Sequence, residues 1–146
     1  MALFVKTFNE LTLDELHDIL QLRSEVFVVE QDCIYQDIDG KDRKALHVFL
    51  KKSGRIAAYT RCFKPGDYFE EAAIGRVVVP MDLRKFGYGH DVMKASVTAI
   101  KNRFTTQKIK LSAQTYLIDF YKSHGFIPVG EEYLEDGIPH IAMIIT

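Results

Sequence analysis

Apolar residues recur along this chain with two periods, one suited to strands and one to helices, and the two alternate from one end to the other. Leu3–Phe8 reads as a short opening strand. Thr12 and Glu15 then have capping-box spacing, with Leu11 and Leu16 placed for a hydrophobic staple, so a helix starts here. Leu13, Leu16, Ile19, Leu20, Val26 and Phe27 line one face of that helix, which fades near Val28–Glu30. Gln31–Gly40 has no period and reads as a loop with at most one helical turn.

Ala45–Lys51 and Arg55–Phe63 are strand-like runs joined by a tight turn at Lys52-Ser53-Gly54, and Pro65-Gly66-Asp67 is a second turn. In the next strand, Ile74–Val79, the run Val77-Val78-Val79 suits cover on both faces. Pro80 ends it, because proline has no N–H for the ladder. Beyond Arg84–Gly89, the residues Val92, Met93, Val97, Ile100 and Phe104 mark an amphipathic helix. Lys108–Ala113 alternates, with Ile109, Leu111 and Ala113 on one face. Tyr116–His124 is a further helix, and Gly125 suits its left-handed cap. Phe126–Gly130, extendable to Leu134, and His140–Ile145 are the last strands, separated by a turn over Glu135–Pro139. No repeat, low-complexity tract or linker divides the chain. The order β-α-loop-β-β-β-α-β-α-β-β therefore predicts one α/β (α+β) domain over residues 1–146, built around a single sheet.

Composition narrows the function classes. The 146 residues are 47% hydrophobic, enough for one sizeable core, and a net charge of −1 gives no general bias toward nucleic acid or membranes. No apolar stretch approaches the ~18 residues of a membrane span. The start of the chain lacks a signal-peptide pattern, since Lys6 and Asn9-Glu10 break the apolar run. Cys33 and Cys62 form no Cys-x-x-Cys pair and no zinc-ligand spacing, so they are expected as free thiols in a reducing cytoplasm, with no metal.

The most informative motif is Arg84-Lys85-Phe86-Gly87-Tyr88-Gly89, between a buried strand and an amphipathic helix. Glycines there let backbone N–H groups approach an anion at a helix N-terminus, and a pyrophosphate is the natural guest. The loop lacks the Gly-Lys-Ser/Thr of a Walker loop and the full dinucleotide fingerprint.

An Arg-x-x-Gly-x-Gly loop after a valine-rich strand resembles the coenzyme A loop of GNAT acyltransferases. Gln114 through Phe126, with Tyr121-Lys-Ser-His-Gly125-Phe126, resembles the later cofactor-side motif of that superfamily, which often has Asn at Gln114 and Ala at Leu117. Leu22–Gln31, Asp37–Gly40, Ile74–Val79 and Glu135–His140 resemble the ElaA-like branch. The resemblance implies a mixed, mostly antiparallel sheet flanked by helices, and direct transfer of acetyl from acetyl-CoA to a primary amine.

It further implies that Val77, Val78, Val79, Arg84, Lys85, Gly87, Gly89 and Gln114 hold acetyl-CoA, and that Tyr121 both contacts it and protonates the leaving thiolate. The base is open among Glu30, Glu71, His47, His140 and a water relay. Arg76, a charge in an apolar strand, needs a partner: an acid of the Glu30–Asp42 loop or a substrate carboxylate. Glu30, Asp32, Asp37, Asp39 and Asp42 crowd that loop; they form either a solvated face or, with Asp37 and Asp39, a mouth for a cationic small-molecule or peptide amine. A homodimer is left open. The competing readings are a non-catalytic acyl-CoA-binding sensor and an acylhomoserine-lactone synthase-like enzyme.

Overall fold

The computed structural model describes residues 1–146. Its strands are β1 (Ala2–Thr7), β2 (Leu46–Lys52), β3 (Arg55–Phe63), β4 (Ala72–Val78), β5 (Ile109–Gln114), β6 (Ile127–Glu135) and β7 (Ile138–Ile145). The helices are α1 (Leu13–Arg23), α2 (Tyr88–Phe104) and α3 (Ile118–Lys122). All seven strands join one sheet in the order β1-β2-β3-β4-β5-β7-β6. Neighbours are antiparallel except β4 and β5, which run parallel and pair only through Ala72 with Ile109 and Ala73 with Lys110. Beyond those pairs the two strands part.

Strand β4 carries a bulge beyond those pairs. Arg76 in β4 has a φ of 48°, and the register with β3 shifts between Tyr59 and Arg61. A non-glycine residue in this region costs about 1–3 kcal/mol and persists only where its surroundings enforce it.

Two core layers cover the sheet. Val92, Met93 and Ile100 of α2 pack on one face with Val48, Ile74, Leu111 and Met143. On the other face Ile19, Leu22 and Val26 meet Phe49, Ile56, Tyr59 and Val78. The α1 start follows its capping box, with Glu15 N–H donating to Thr12 Oγ1 at 3.0 Å and Thr12 N–H to Glu15 Oε1 at 2.9 Å. The buried face is Glu15, Ile19, Leu22, Arg23 and Val26, and the expected core residue Leu13 is 86% exposed. Leu13 opens the helix before the sheet can cover it, and Arg23 is drawn inward by the aspartates described below.

After Arg23 the chain widens into a π-helical stretch over Ser24–Glu30. Such bulges recur at functional sites. Asp136 (φ 52°) and Gly137 (φ 78°) close a two-residue hairpin, so the turn expected over Glu135–Pro139 contracts and β6 and β7 run longer. The helix expected over Tyr116–His124 contracts to Ile118–Lys122, preceded by a 3₁₀ turn at Thr115–Leu117.

Candidate active site

The first cleft opens where β4 ends. It is lined by Val77, Val78, Val79, Arg84, Gly87 and Gly89, together with Glu30, Gln114 and Tyr121. Val78 is buried, whereas Val77 and Val79 are half-buried because they form the cleft wall rather than a doubly covered strand. Gly87 caps α2 with a φ of 78°. A Cβ on Gly89 would lie 3.5 Å from the Phe120 ring and 3.6 Å from Val79 Cγ2, so any larger side chain would fill the cleft floor. The first N–H groups of α2 have no intrahelical acceptors, and a helix of 17 residues adds its dipole, which together suit an anion.

Two loop residues differ from expectation. Lys85 is absent from the lining, and its ammonium lies 5.6 Å from the Phe86 ring. Arg84 does line the cleft, but its guanidinium donates twice to Glu30, at 2.6 and 2.7 Å, and its Nε donates to the Val79 carbonyl. Glu30 is thereby held at the first cleft with both oxygens engaged. It does not reach the second cleft, so it is poorly placed as a base.

The second cleft is lined by Arg76, Ser112, Gln114, Tyr121, Glu135 and His140 among others. The two clefts share Phe27, Gln31, Val77, Gln114, Leu117 and Tyr121. At that junction the side-chain amides of Gln31 and Gln114 exchange hydrogen bonds of 3.3 and 3.4 Å. Tyr121 is 5% exposed, and its burial, helped by Tyr116, pushes the phenol well above its ordinary pKa. It therefore stays protonated at neutral pH and can donate. His140 Nδ1–H donates to the Ile138 carbonyl at 2.7 Å, which leaves Nε2 facing Glu135 Oε2 at 3.3 Å.

Arg76 has its partners inside the protein. Its Nε lies 2.8 Å from Asp37 Oδ1, at an angle too poor for a hydrogen bond, and its Nη2 donates to the Asp37 carbonyl at 3.1 Å. Asp37 also accepts from Arg23 Nε at 2.9 Å. Asp42 accepts from Arg23 at 2.7 Å and from Arg61 at 3.0 Å, and Asp39 binds Arg61 twice at 2.8 Å. Three arginines and three aspartates thus neutralise one another, with the Nε atoms of Arg61 and Arg76 making no hydrogen bond. Burial alone would raise the Asp39 and Asp42 carboxyls. Arg61 acting on Asp39, and Arg23 acting on Asp42, outweigh it, holding Asp39 well below the usual range and lowering Asp42 as well. Asp37 and Asp39 are consequently engaged as structural anions rather than free to receive an amine.

His47 is buried away from both clefts, with Nδ1 at 2.7 Å from the Tyr59 hydroxyl and Nε2 at 2.9 Å from the Asp42 carbonyl, and burial lowers its pKa. Glu71 lines neither cleft. Cys33 and Cys62 are free thiols; Cys33 lines the second cleft and its Sγ lies 3.5 Å from the Asp136 carbonyl. Sequence reasoning missed Arg23 and Arg61. The signal that singled out Arg76, a charge on an apolar face, was equally present at both.

A GNAT fold is defined by this arrangement: a sheet parted between a fourth and a fifth strand, and a glycine loop leading into a helix beside the gap. The chain belongs to the GNAT acetyltransferase family, whose domain model matches residues 9–146. Within that family it is 44% identical over 137 residues to Protein ElaA of Escherichia coli, covering 92% of this chain and 90% of that protein. Its structure matches the crystal structure of an acyl-CoA N-acyltransferase from Pseudomonas aeruginosa with a TM-score of 0.94, 40% identity and complete coverage of both chains. E. coli ElaA matches with a TM-score of 0.93 and 40% identity over 99% of each chain. A CoA-dependent acyl-homoserine lactone synthase, at 16% identity and a TM-score of 0.77 over 98% of this chain and 81% of that one, shares the fold alone. Family membership implies the use of an acyl-CoA. No helix is long and apolar enough to cross a membrane.

Proposed function

We propose that the protein transfers an acetyl group from acetyl-CoA to a primary amine by direct attack, with the co-substrate in the first cleft and the amine in the second. The observation that carries this reading is the meeting of the two clefts at Tyr121, a buried phenol whose proton is retained at neutral pH. The glycine cradle at Gly87 and Gly89 fits a phosphate-bearing ligand, and the β4 edge at Val77–Val79 offers backbone groups to a pantetheine arm.

The thioester supplies the acetyl group: the amine nitrogen bonds to its carbonyl carbon as the C–S bond breaks. Tyr121 gives its proton to the departing thiolate. His140 Nε2 takes the proton that the amine loses, directly or through water, and Glu135 stabilises the imidazolium that forms. Gln114 lines both clefts and helps to hold the reacting groups at the junction. Arg76 shapes the opening through the bulge and its ties to Asp37 and Asp39.

The test is Tyr121→Phe, which keeps the ring and removes the proton. The expected result is a fall in kcat of about 10²-fold with an unchanged dissociation constant for acetyl-CoA. An unchanged kcat, measured where chemistry limits turnover, would remove Tyr121 from the reaction.

A further inference from the structure

The second cleft does not end at Arg76. It continues into a bay that shares Ile74, Gly75, Arg76, Ser112 and Glu135 with it. The bay is lined by Phe63, Tyr68 and Phe69. Tyr68 stacks on Phe63 with centroids 5.1 Å apart and meets Phe69 edge-on at 4.8 Å, and it remains 41% exposed. Two ammonium groups stand against these rings: Lys110 Nζ at 4.9 Å from the Phe69 centroid and Lys41 Nζ at 5.9 Å from that of Tyr68. Arg61 and Arg76, which line the bay, are already neutralised by Asp37, Asp39 and Asp42, whereas Lys41 and Lys110 stand outside the lining against its rings.

We propose that this bay receives the far end of the acceptor, and that this end is an aromatic ring carrying an anionic group. The inference rests on the N-acyltransferase reading and names the acceptor class for it. The polarity of the groove sets the direction. Glu135 and His140 lie on the Tyr121 side, where a cationic amine is stabilised before it loses its proton. The rings lie beyond Arg76, where a planar ring finds offset and edge-on partners, and a carboxylate carried past Phe69 would meet the Lys110 ammonium that stands against that ring. Glu135 borders both spaces, so one molecule can hold its amine and its ring on opposite sides of that carboxylate.

Three acceptors separate the contributions: hexylamine, phenethylamine and para-carboxyphenethylamine, each assayed for acetyl-CoA consumption by the purified protein. KM is expected to fall in that order. Tyr68→Leu combined with Phe69→Leu should raise KM for the two ring-bearing amines roughly 3- to 10-fold, while kcat with hexylamine and KM for acetyl-CoA stay unchanged. Lys110→Gln should raise KM roughly 2- to 5-fold for the carboxylated amine alone. The hexylamine rate reports that each variant is folded. Equal KM values for the three amines, or ring-lining variants that alter all three alike, would overturn the bay assignment and leave the acyltransferase reading standing. Acetyl-CoA recovered intact with every amine would overturn the acyltransferase reading, and the acceptor class with it.

Discussion

Asp42→Asn tests whether the buried ion network sustains the fold. Asp42 Oδ1 accepts from Arg23 at 2.7 Å and from Arg61 at 3.0 Å, and the three side chains are only 8%, 0% and 1% exposed. Asparagine keeps the shape and an acceptor oxygen but removes the charge, which leaves the buried Arg23 and Arg61 and the half-buried Arg76 facing two aspartates. Breaking such a pair from one side costs about 3–5 kcal/mol, and the retained oxygen places this change near about 3 kcal/mol. With a urea m-value of about 2 kcal/mol/M, the midpoint should fall by about 1.5 M. The melting temperature should fall by about 9 °C, at about 3 °C per kcal/mol for a chain of this length. Urea unfolding at neutral pH reads the first number directly. Adding Arg23→Met restores charge balance, so the double variant should lose less than the sum of the two single changes. A midpoint shift below about 0.5 M for Asp42→Asn, or strict additivity in the double variant, would refute the reasoning.

Other outcomes follow from the same geometry. Gly89→Ala should be tolerated, because its Cβ meets only ordinary contacts at 3.5–3.6 Å, whereas Gly89→Val should leave the protein folded and abolish its thermal stabilisation by acetyl-CoA. Glu30→Gln frees the Arg84 guanidinium from its 2.6 and 2.7 Å contacts, so titration calorimetry should show acetyl-CoA binding more tightly than in the parent. Asp39 and Asp42 are held below their unfolded pKa of about 4, so the unfolded chain binds more protons as the pH drops. Stability is therefore full above about pH 4 and is lost as the pH falls toward the folded values, which urea midpoints between neutral and acid pH will show.

Much of the architecture was legible because it rests on local rules. The Thr12–Glu15 capping box, Pro80 at the strand end and Gly125 after the last helix each carry their own physical reason, and each sits where that reason puts it. The glycine loop was legible too, because a strand-to-helix junction needs Gly87 in a left-handed conformation. What eluded sequence reasoning depends on long-range pairing. The tie of Arg76 to an acid of the 30–42 loop was among the alternatives read from the sequence, but the aspartates of the 37–42 segment still looked like an acidic mouth because their other partners, Arg23 and Arg61, come from elements distant in sequence. Glu30 and Arg84 are 54 positions apart, and no local pattern couples them. The aromatic bay was invisible for the same reason, since Phe63 and Phe69 meet Gly75 and Ser112 only once the sheet has formed.

The central claim is that this chain moves an acyl group rather than merely binding its carrier. The most direct measurement is mass spectrometry of acetyl-CoA incubated with the protein and a panel of primary amines. The account predicts acetylated amine and free CoA in equal amounts, formed by the parent protein and strongly reduced with Tyr121→Phe. Acetyl-CoA that binds, as shown by a raised melting temperature, yet is recovered intact with every amine would contradict the account and assign the chain as an acyl-CoA-binding module.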